Sequence, residues 1–447
     1  MAELFDIAEH VLGWARDNEQ VEVYAVHDHE TEVRAYEGAV ESFSSAESRG
    51  VGVRVIVDGK QGFAWAGTLD MAVLAETLAD ARDNAQFGTV DEHAGVAEPD
   101  HVEPAMLELF DPALLGFATE AKIDLAIELE RLAMAADPRI VGIESAEYVD
   151  TVHEYAIVST AGIRRTGRET GCFVSVYTLA EHNGETQNGF GWSVGRAPGA
   201  LDIERCAREA AERATRLLGA TKPATERLTV VLTPWVTAQF LGILGSTFSG
   251  ESVLKGRSLF AERLGDLVAP SFFTLVDDPT DPDSYTATTV DGEGLATRRN
   301  ALIADGRVAQ FLHNAYTARR TGVVSTGSAV RGGFTSTPGV GAMALQLAPG
   351  TATQAELIAG IDRGLLVQEV SGLHSGVNPV SGDFSTGAEG LLIRGGALAE
   401  PVREVTIAST IQKMLHDVVA IGNDVEWLPM SAAGVSMVVA DLTMSGA

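Results

Sequence analysis

Two stretches of this chain follow one plan. "GVGVRVIVDGKQGFAWAG" runs from Gly50 to Gly67, and "GCFVSVYTLAEHNGETQNGFGWSVG" from Gly171 to Gly195. Each is an alternating run, a polar turn, and a return run opening Gly-Phe-small-Trp, at Gly62 to Trp65 and Gly189 to Trp192. Alternation at period two lines apolar side chains along one face of a strand and does not suit a helix. Asp58-Gly59 fits a type I′ hairpin turn, which needs positive φ at both central residues. The chain is therefore committed to antiparallel hairpins. The repeated plan reads as an internal duplication of a strand–turn–strand unit, two copies being too few for a solenoid.

Around these hairpins the pattern alternates between helix and strand periods. Leu4, Ile7, Val11 and Leu12 mark an amphipathic first helix. "VEVYAV" (Val21 to Val26) and "TEVRAY" (Thr31 to Tyr36) read as strands, with "HDHE" (His27 to Glu30) as the turn between them. Helices are expected near Thr68 to Phe87, Pro112 to Ala136 and Leu201 to Leu218, with "VAEPDHVEPAM" as a proline-bearing connector. "GATKPATER" is a linker. Past it come a strand "LTVVLT", a helix from Pro234, short strands and glycine-rich loops, then "EVTIAS", a helix "TIQKMLHDVVAIG" and a last strand "SMVVADLTM". At 447 residues the chain is long for one core. The expected fold class is α+β in two domains: an N-terminal sheet with helices at residues 1–222, and a β-rich domain with glycine-rich loops at 223–447.

Charge and cysteine usage narrow the function classes. Acidic side chains number 62 and basic ones 32, a formal net charge of -30. Phosphate backbones draw basic surfaces, so nucleic acid and anionic membranes are excluded as partners unless a local patch exists. "IRRTGR" (Ile163 to Arg168) and "ARRTG" (Ala318 to Gly322) are the densest basic spots, and both read as solvated turns. Two distant cysteines, Cys172 and Cys206, argue for a reducing compartment and against a thiolate zinc site. The N-terminus has no signal-peptide pattern, and "LTVVLTPWVTAQFLGILG" is too short and polar to span a bilayer. A cytoplasmic protein is expected.

No familiar catalytic motif is present. A zinc-peptidase helix needs two histidines one turn apart with a glutamate beside the first, and neither His-Glu-x-x-His nor His-Glu-x-x-x-His occurs. His27 and His29 would share one strand face, a weak two-histidine site set against the plainer reading of solvated turn residues. His153 and His182 read as surface residues, His313 and His416 as locally satisfied ones. The stretch "GLHSGVNPVSGDFSTGAEGLLIRGG" (Gly372 to Gly396), with the adjoining Ser371, supplies Ser375, Ser381, His374 and Asp383, but no serine stands in a Gly-x-Ser-x-Gly elbow. Serines in such loops usually satisfy local backbone. The glycines carry no P-loop pattern. What remains is a loop whose bare backbone could approach an extended peptide.

"GVNPVSGDFSTGAEG", "PVREVTIAST" and "VAIGNDVEW" resemble the closing part of the TldD/PmbA family, long labelled modulators of DNA gyrase. "GVGVRVIVDGKQGFAW" resembles its N-terminal hairpin, and "SFFTLVDDPT" with "DGEGLATRR" its central segment. The resemblance implies a metallopeptidase assembly in which a TldD-type chain carries zinc on a His-Glu-x-x-x-His helix plus a C-terminal cysteine. A PmbA-type (TldE-type) chain lacks these and pairs with it in the cytoplasm to act on unfolded or extended peptides. Here the corresponding helix reads "PWVTAQFLGILG" and the C-terminal segment "SAAGVSMVVADLTMSG" has no cysteine. The resemblance thus implies a PmbA/TldE-type subunit with a degenerate C-terminal peptidase domain and neither catalytic residues nor metal of its own. Zinc is expected on the TldD-like heterodimer partner, with His374, Ser375, Asn378 and Asp383 as the expected peptide or partner contacts. Two alternatives stay open: a stand-alone homodimeric peptide-binding scaffold without a protease role, and an independent hydrolase using the loop serines or His27 and His29.

Overall fold

The computed structural model describes residues 1–447. After helix α1 (Ala2–Leu12), six strands form one antiparallel sheet: β1 (Gln20–Tyr36), β2 (Ala39–Val57), β3 (Lys60–Ala66), β4 (Ile140–Ser159), β5 (Arg164–His182) and β6 (Glu185–Gly195). Their spatial order is β3-β2-β1-β4-β5-β6. The order is its own mirror: β1 and β4 lie side by side at the centre, and each leads a three-strand meander outward. Helices α2 (Met71–Phe87), α3 (Thr119–Ala136) and α4 (Ile203–Arg216) complete the two units. The turns Glu37–Gly38, Asp58–Gly59 and Asn183–Gly184 have positive φ at both residues, as type I′ hairpins require.

Odd positions of β1 (Val21, Val23, Ala25, Val33 and Ala35) are fully buried against the four helices. Even positions near the start of β1 are buried too. Tyr24 and Val26, with Tyr155 and Ile157 of β4, pack on Val290, Leu295 and Ala315 of the C-terminal half. The sheet therefore has a core on both faces along that end.

The C-terminal half comprises β7 (Glu226–Leu232), α5 (Pro234–Ser246), α6 (Gly250–Leu254), β8 (Leu275–Asp277), β9 (Asn300–Ala304), β10 (Arg307–Val308), α7 (Ala315–Thr321), β11 (Ala329–Val330), β12 (Gly339–Val340), β13 (Leu345–Leu347), α8 (Gln354–Ala359), β14 (Arg363–Ser371), α9 (Leu373–Gly376), β15 (Asp383–Arg394), β16 (Ala397–Thr410), α10 (Ile411–His416), β17 (Val418–Ile421) and β18 (Met437–Ser445). The strands run β16-β15-β14-β7-β18-β17, and β16 also pairs with β18, closing five of them into a barrel. Val230, Leu232, Leu365, Val367, Ile407, Met437 and Val439 belong to one core with Leu241 and Leu244 of α5. Truncating either leucine to alanine would cost about 2–5 kcal/mol. The fold class is α+β, as the sequence implies.

Three local readings change. His27 to Glu30 is no turn but the middle of β1, a single continuous strand. The second long helix starts at Thr119, since Pro112 and Gly116 lie in the irregular segment before it. The helix near the C-terminus stops at His416, because the β-branched run that follows pairs as β17 with β18.

Candidate functional site

Helix α5 starts with Pro234 at its first turn, where the missing N–H costs nothing. Val236, Phe240, Leu241, Leu244 and Gly245 face the core, leaving Trp235, Gln239, Gly242, Ile243 and Ser246 along the outer side. Opposite that stripe stands the loop between β14 and β15. Gln239, Gly242, Ile243 and Ser246 on the helix and Leu373, His374, Val377 and Pro379 on the loop enclose a groove of about 520 Å³. The Gln239 side-chain nitrogen is buried there without a hydrogen-bond partner.

The loop owes its shape to its own polar groups. Gly372 takes φ of 74° to start the single turn α9. Gly376 has no room for a Cβ, which would stand 2.0 Å from the Ser385 carbonyl oxygen. Asn378 Oδ1 accepts from the N–H groups of Val380 (2.9 Å) and Ser381 (3.2 Å), and the Asn378 N–H donates to the Asp383 carbonyl (2.9 Å). The Ser381 hydroxyl donates to Asp383 Oδ2 at 2.7 Å, and that of Ser375 to the Gly372 carbonyl at 3.2 Å. Three of the four residues singled out in the sequence, Ser375, Asn378 and Asp383, thus hold the turn. Of the four, only His374 lines the groove. Ser381 and Asp383 bond directly with no imidazole between them, so no serine–histidine–aspartate relay forms.

The donors that meet in this groove are one imidazole, one amide and one hydroxyl. Structural and catalytic zinc sites draw on three or four imidazole, thiolate or carboxylate ligands, so these residues do not fit that ion. His27 and His29 do share a strand face, but each is engaged locally, His27 Nε2 with Glu47 Oε1 at 2.7 Å and His29 Nε2 with Ser45 Oγ at 3.3 Å. No group of three or more histidine, cysteine, aspartate or glutamate side chains stands close enough together to hold a metal. Cys172 and Cys206 are buried and unpaired, and burial pushes both thiols up to about 12.

Another cleft, of about 760 Å³, lies between the connector Thr89–Gly95 and α7. Its walls are tied together: the Tyr316 hydroxyl donates to Asp91 Oδ2 (2.7 Å), and the Arg319 guanidinium donates to the carbonyls of His93 (2.8 Å) and Gly95 (2.7 Å). "ARRTG" is therefore the end of a helix that clamps the connector, not a free turn. In "IRRTGR", Arg164 donates to the Ser159 carbonyl and Arg168 lies over the Phe110 ring. His313 is buried beside Thr317, and burial lowers its pKa.

Sequence reading missed one feature, a buried ionic seam between the two halves. Arg54 on β2 donates to Glu22 on β1 (2.8 Å) and to Glu293 (3.3 Å). Arg331 also pairs with Glu22, and Glu293 accepts the Ala315 N–H at 2.8 Å. Burial works against the Glu22 carboxylate, but Arg331 and Arg54 hold it below its usual range. Burial, reinforced by the Glu293 charge, raises the neighbouring Asp291. The only signal in the sequence is charge at even strand positions, which a half-buried sheet would turn to solvent.

Comparison with known proteins agrees with this architecture. Three family models match: PmbA/TldA metallopeptidase domain 1 over residues 21–85, the central domain over 114–218 and the C-terminal domain over 225–446. The chain is 28% identical over 392 residues to Metalloprotease PmbA of Escherichia coli O157:H7, covering 87% of this chain and 84% of that one. It is 26% identical over 430 residues to a Metalloprotease TldD homolog of Haemophilus influenzae, covering 92% and 86%. Among solved structures, TldE from Thermococcus kodakarensis superposes with a TM-score of 0.90 at 21% identity over 100% of both chains. A Thermotoga maritima chain that carries only the label of a modulator of a DNA gyrase superposes with a TM-score of 0.91 at 26% identity over 98% and 99%. By its three domains and the whole-length fold that they build, the chain belongs to the PmbA/TldD metallopeptidase family.

Proposed function

We propose that this chain is the non-catalytic, PmbA/TldE-type subunit of a two-chain zinc metallopeptidase, working beside a TldD-like chain that carries the metal. One observation carries the reading: the outer side of α5 offers Gln239, Gly242, Ile243 and Ser246 to the groove, where a peptidase helix would present histidines and a glutamate. The groove would then hold part of an extended peptide or of the partner, with His374 as its polar contact.

Two further facts support the reading. No helix is long and apolar enough to cross a membrane, and both cysteines are unpaired, which suits the reducing cytoplasm. An acidic excess giving a charge of -30 leaves no electrostatic route to DNA, so any effect on gyrase would pass through protein contacts. The test is to express the chain with a homologue bearing His-Glu-x-x-x-His. The pair should co-purify and cleave unfolded peptides in a chelator-sensitive way, while this chain alone is inactive with or without zinc. Cleavage by the isolated chain would overturn the reading.

A further inference from the structure

Helix α3 carries two charged residues on its buried stripe, Lys122 and Glu130, among Ala126, Leu129 and Ala133. About two turns of helix separate them. Lys122 is matched: its ammonium pairs with Asp150 at 2.6 Å and donates to the Thr31 hydroxyl at 3.1 Å. Glu130 is 6% exposed, and its Oε2 accepts one N–H, that of Gly38 in the β1–β2 turn, at 2.9 Å. No cation of the chain pairs with it. Arg131 beside it pairs with Glu128 at 2.6 Å, Arg139 with Asp137 at 2.7 Å and Arg34 with Glu41 at 2.8 Å. Buried charges in folded chains are paired or hold a ligand, because a lone carboxylate loses its hydration with nothing to replace it.

Glu130 lines a groove of about 720 Å³ between α3, the β1–β2 turn and the start of β4. Tyr36, Ile127, Met134, Val141, Ile143 and Leu179 supply its apolar walls. Tyr36, Met134 and Val141 are 43%, 40% and 54% exposed, so the rim keeps large apolar side chains in water. The volume is that of a small-molecule pocket, where apolar walls hold the body of a ligand and a few polar groups orient it. Three charged residues line the groove, Glu37, Glu130 and Arg131. With Arg131 already paired to Glu128, the charge left for a ligand is negative.

We propose that this groove binds a small amine with an apolar body, an alkyl- or arylalkylammonium ion whose charged head meets Glu130 and whose hydrocarbon lies against the apolar walls. An ammonium brings several N–H donors and a unit charge, and a carboxylate has acceptor sites beyond the one that Gly38 uses. A hydrogen bond between two charged groups is stronger than a neutral one, and apolar surroundings strengthen it further. A divalent cation does not suit the site. Calcium takes about six to eight oxygen ligands, the walls here are hydrocarbon, and no group of three or more histidine, cysteine, aspartate or glutamate side chains gathers to hold a metal. An anion would be repelled by Glu37 and Glu130, and a neutral molecule would leave the carboxylate unmatched. The inference stands on this groove alone and does not depend on the zinc-bearing partner.

Isothermal titration calorimetry on the full chain at neutral pH tests this with three probes of one skeleton: phenylbutylamine, phenylbutanol and phenylbutyrate. The amine should bind at one site about tenfold or more tighter than the alcohol, the worth of a hydrogen bond to a charged group, and the carboxylate should not bind. Glu130→Gln keeps an acceptor for the Gly38 N–H and loses the charge. It should bring the amine down to the affinity of the alcohol, with an unchanged thermal midpoint showing that the fold is intact. Val141→Trp, at an exposed position on the rim, should fill the groove and abolish binding of both. Equal affinity for amine and alcohol, amine binding that survives Glu130→Gln, or binding undisturbed by Val141→Trp overturns the proposal. No binding of any probe overturns it too. If Val141→Trp then blocks association with the zinc-bearing homologue, the groove belongs to that partner, and the proposed function stands without the amine site.

Discussion

Gly62 on β3 and Gly189 on β6 occupy the same place in the two halves of the sheet, each pressed against a helix backbone. A Cβ on Gly62 would stand 2.0 Å from the Ala81 carbonyl oxygen of α2, and one on Gly189 would stand 2.3 Å from the Ala210 carbonyl oxygen of α4. Both lead the Gly-Phe-small-Trp element, so the repeated glycine is what lets each helix sit directly on its edge strand. Gly62→Ala and Gly189→Ala should therefore each destabilise by about 1–3 kcal/mol or more, since neither backbone can yield without shifting the helix. Gly67→Ala, with no atom within 4 Å of its added Cβ, is the control and should stay within about 0.5 kcal/mol of wild type. Urea unfolding midpoints decide. Near-neutral behaviour at Gly62 and Gly189 would refute the packing account.

The ionic seam predicts a non-additive pair. Arg54→Met leaves Glu293 as a buried carboxylate without its guanidinium, and removing one partner of a buried pair costs about 3–5 kcal/mol. Adding Glu293→Gln takes the stranded charge away. The double variant should thus be more stable than Arg54→Met alone, as equilibrium denaturation would show. A double variant that simply adds the two losses would mean that the seam is not held by charge.

The elements that the sequence gives away are those whose pattern depends on neighbours close in the chain. The β2–β3 hairpin follows from alternation around Asp58-Gly59, and helices α1 and α2 from their apolar spacing. The turn loop at Gly372 was legible as backbone-rich, and its serine, asparagine and aspartate do satisfy local groups. Contacts between the halves were not legible. Trp65 and Trp192 close the same repeated element, yet Trp65 is 52% exposed while Trp192 is buried against Trp235 of α5. The repeat fixes the local strand in both cases, and only the packing of a distant domain makes them differ. The same holds for Glu22 and Arg54. It also holds for the groove, which exists only because α5 and the β14–β15 loop, more than a hundred residues apart, face each other.

Asp277 predicts a pH dependence. It is almost fully buried, its Oδ1 accepts the N–H groups of Met343 (2.8 Å) and Ala344 (2.7 Å), and its Oδ2 has no partner. Burial pushes its pKa from 3.8 up to about 6. The folded chain then holds this proton more tightly than the unfolded chain, so stability falls as pH rises from about 4 to 6, and the penalty is complete above the folded pKa. Asp277→Asn keeps the acceptor and carries no charge, so it should be more stable than wild type at pH 7.5, by a margin on the order of 2–3 kcal/mol. The two should converge near pH 4. Parallel stability profiles between pH 4 and 7 would show that Asp277 is not the source.

The groove beside α5 gives the last prediction. Gly242 is exposed on the outer side of the helix, and an added Cβ would meet no atom within 4 Å. Gly242→Trp should therefore fold normally, and replacing a mid-helix glycine even favours the helix slightly. The indole would instead fill the space bounded by Leu373, His374, Val377 and Pro379. If that space receives peptide or partner, chelator-sensitive cleavage by the two-chain assembly should drop by about tenfold or more, a loss of about 1.4 kcal/mol in transition-state stabilisation. His374→Ala removes one polar contact and should cost less. Binding of the partner, followed by size-exclusion chromatography, separates the two causes: lost association puts the groove in the interface, and lost cleavage with intact association puts it on the peptide's path. Full activity in Gly242→Trp would remove the groove from the mechanism.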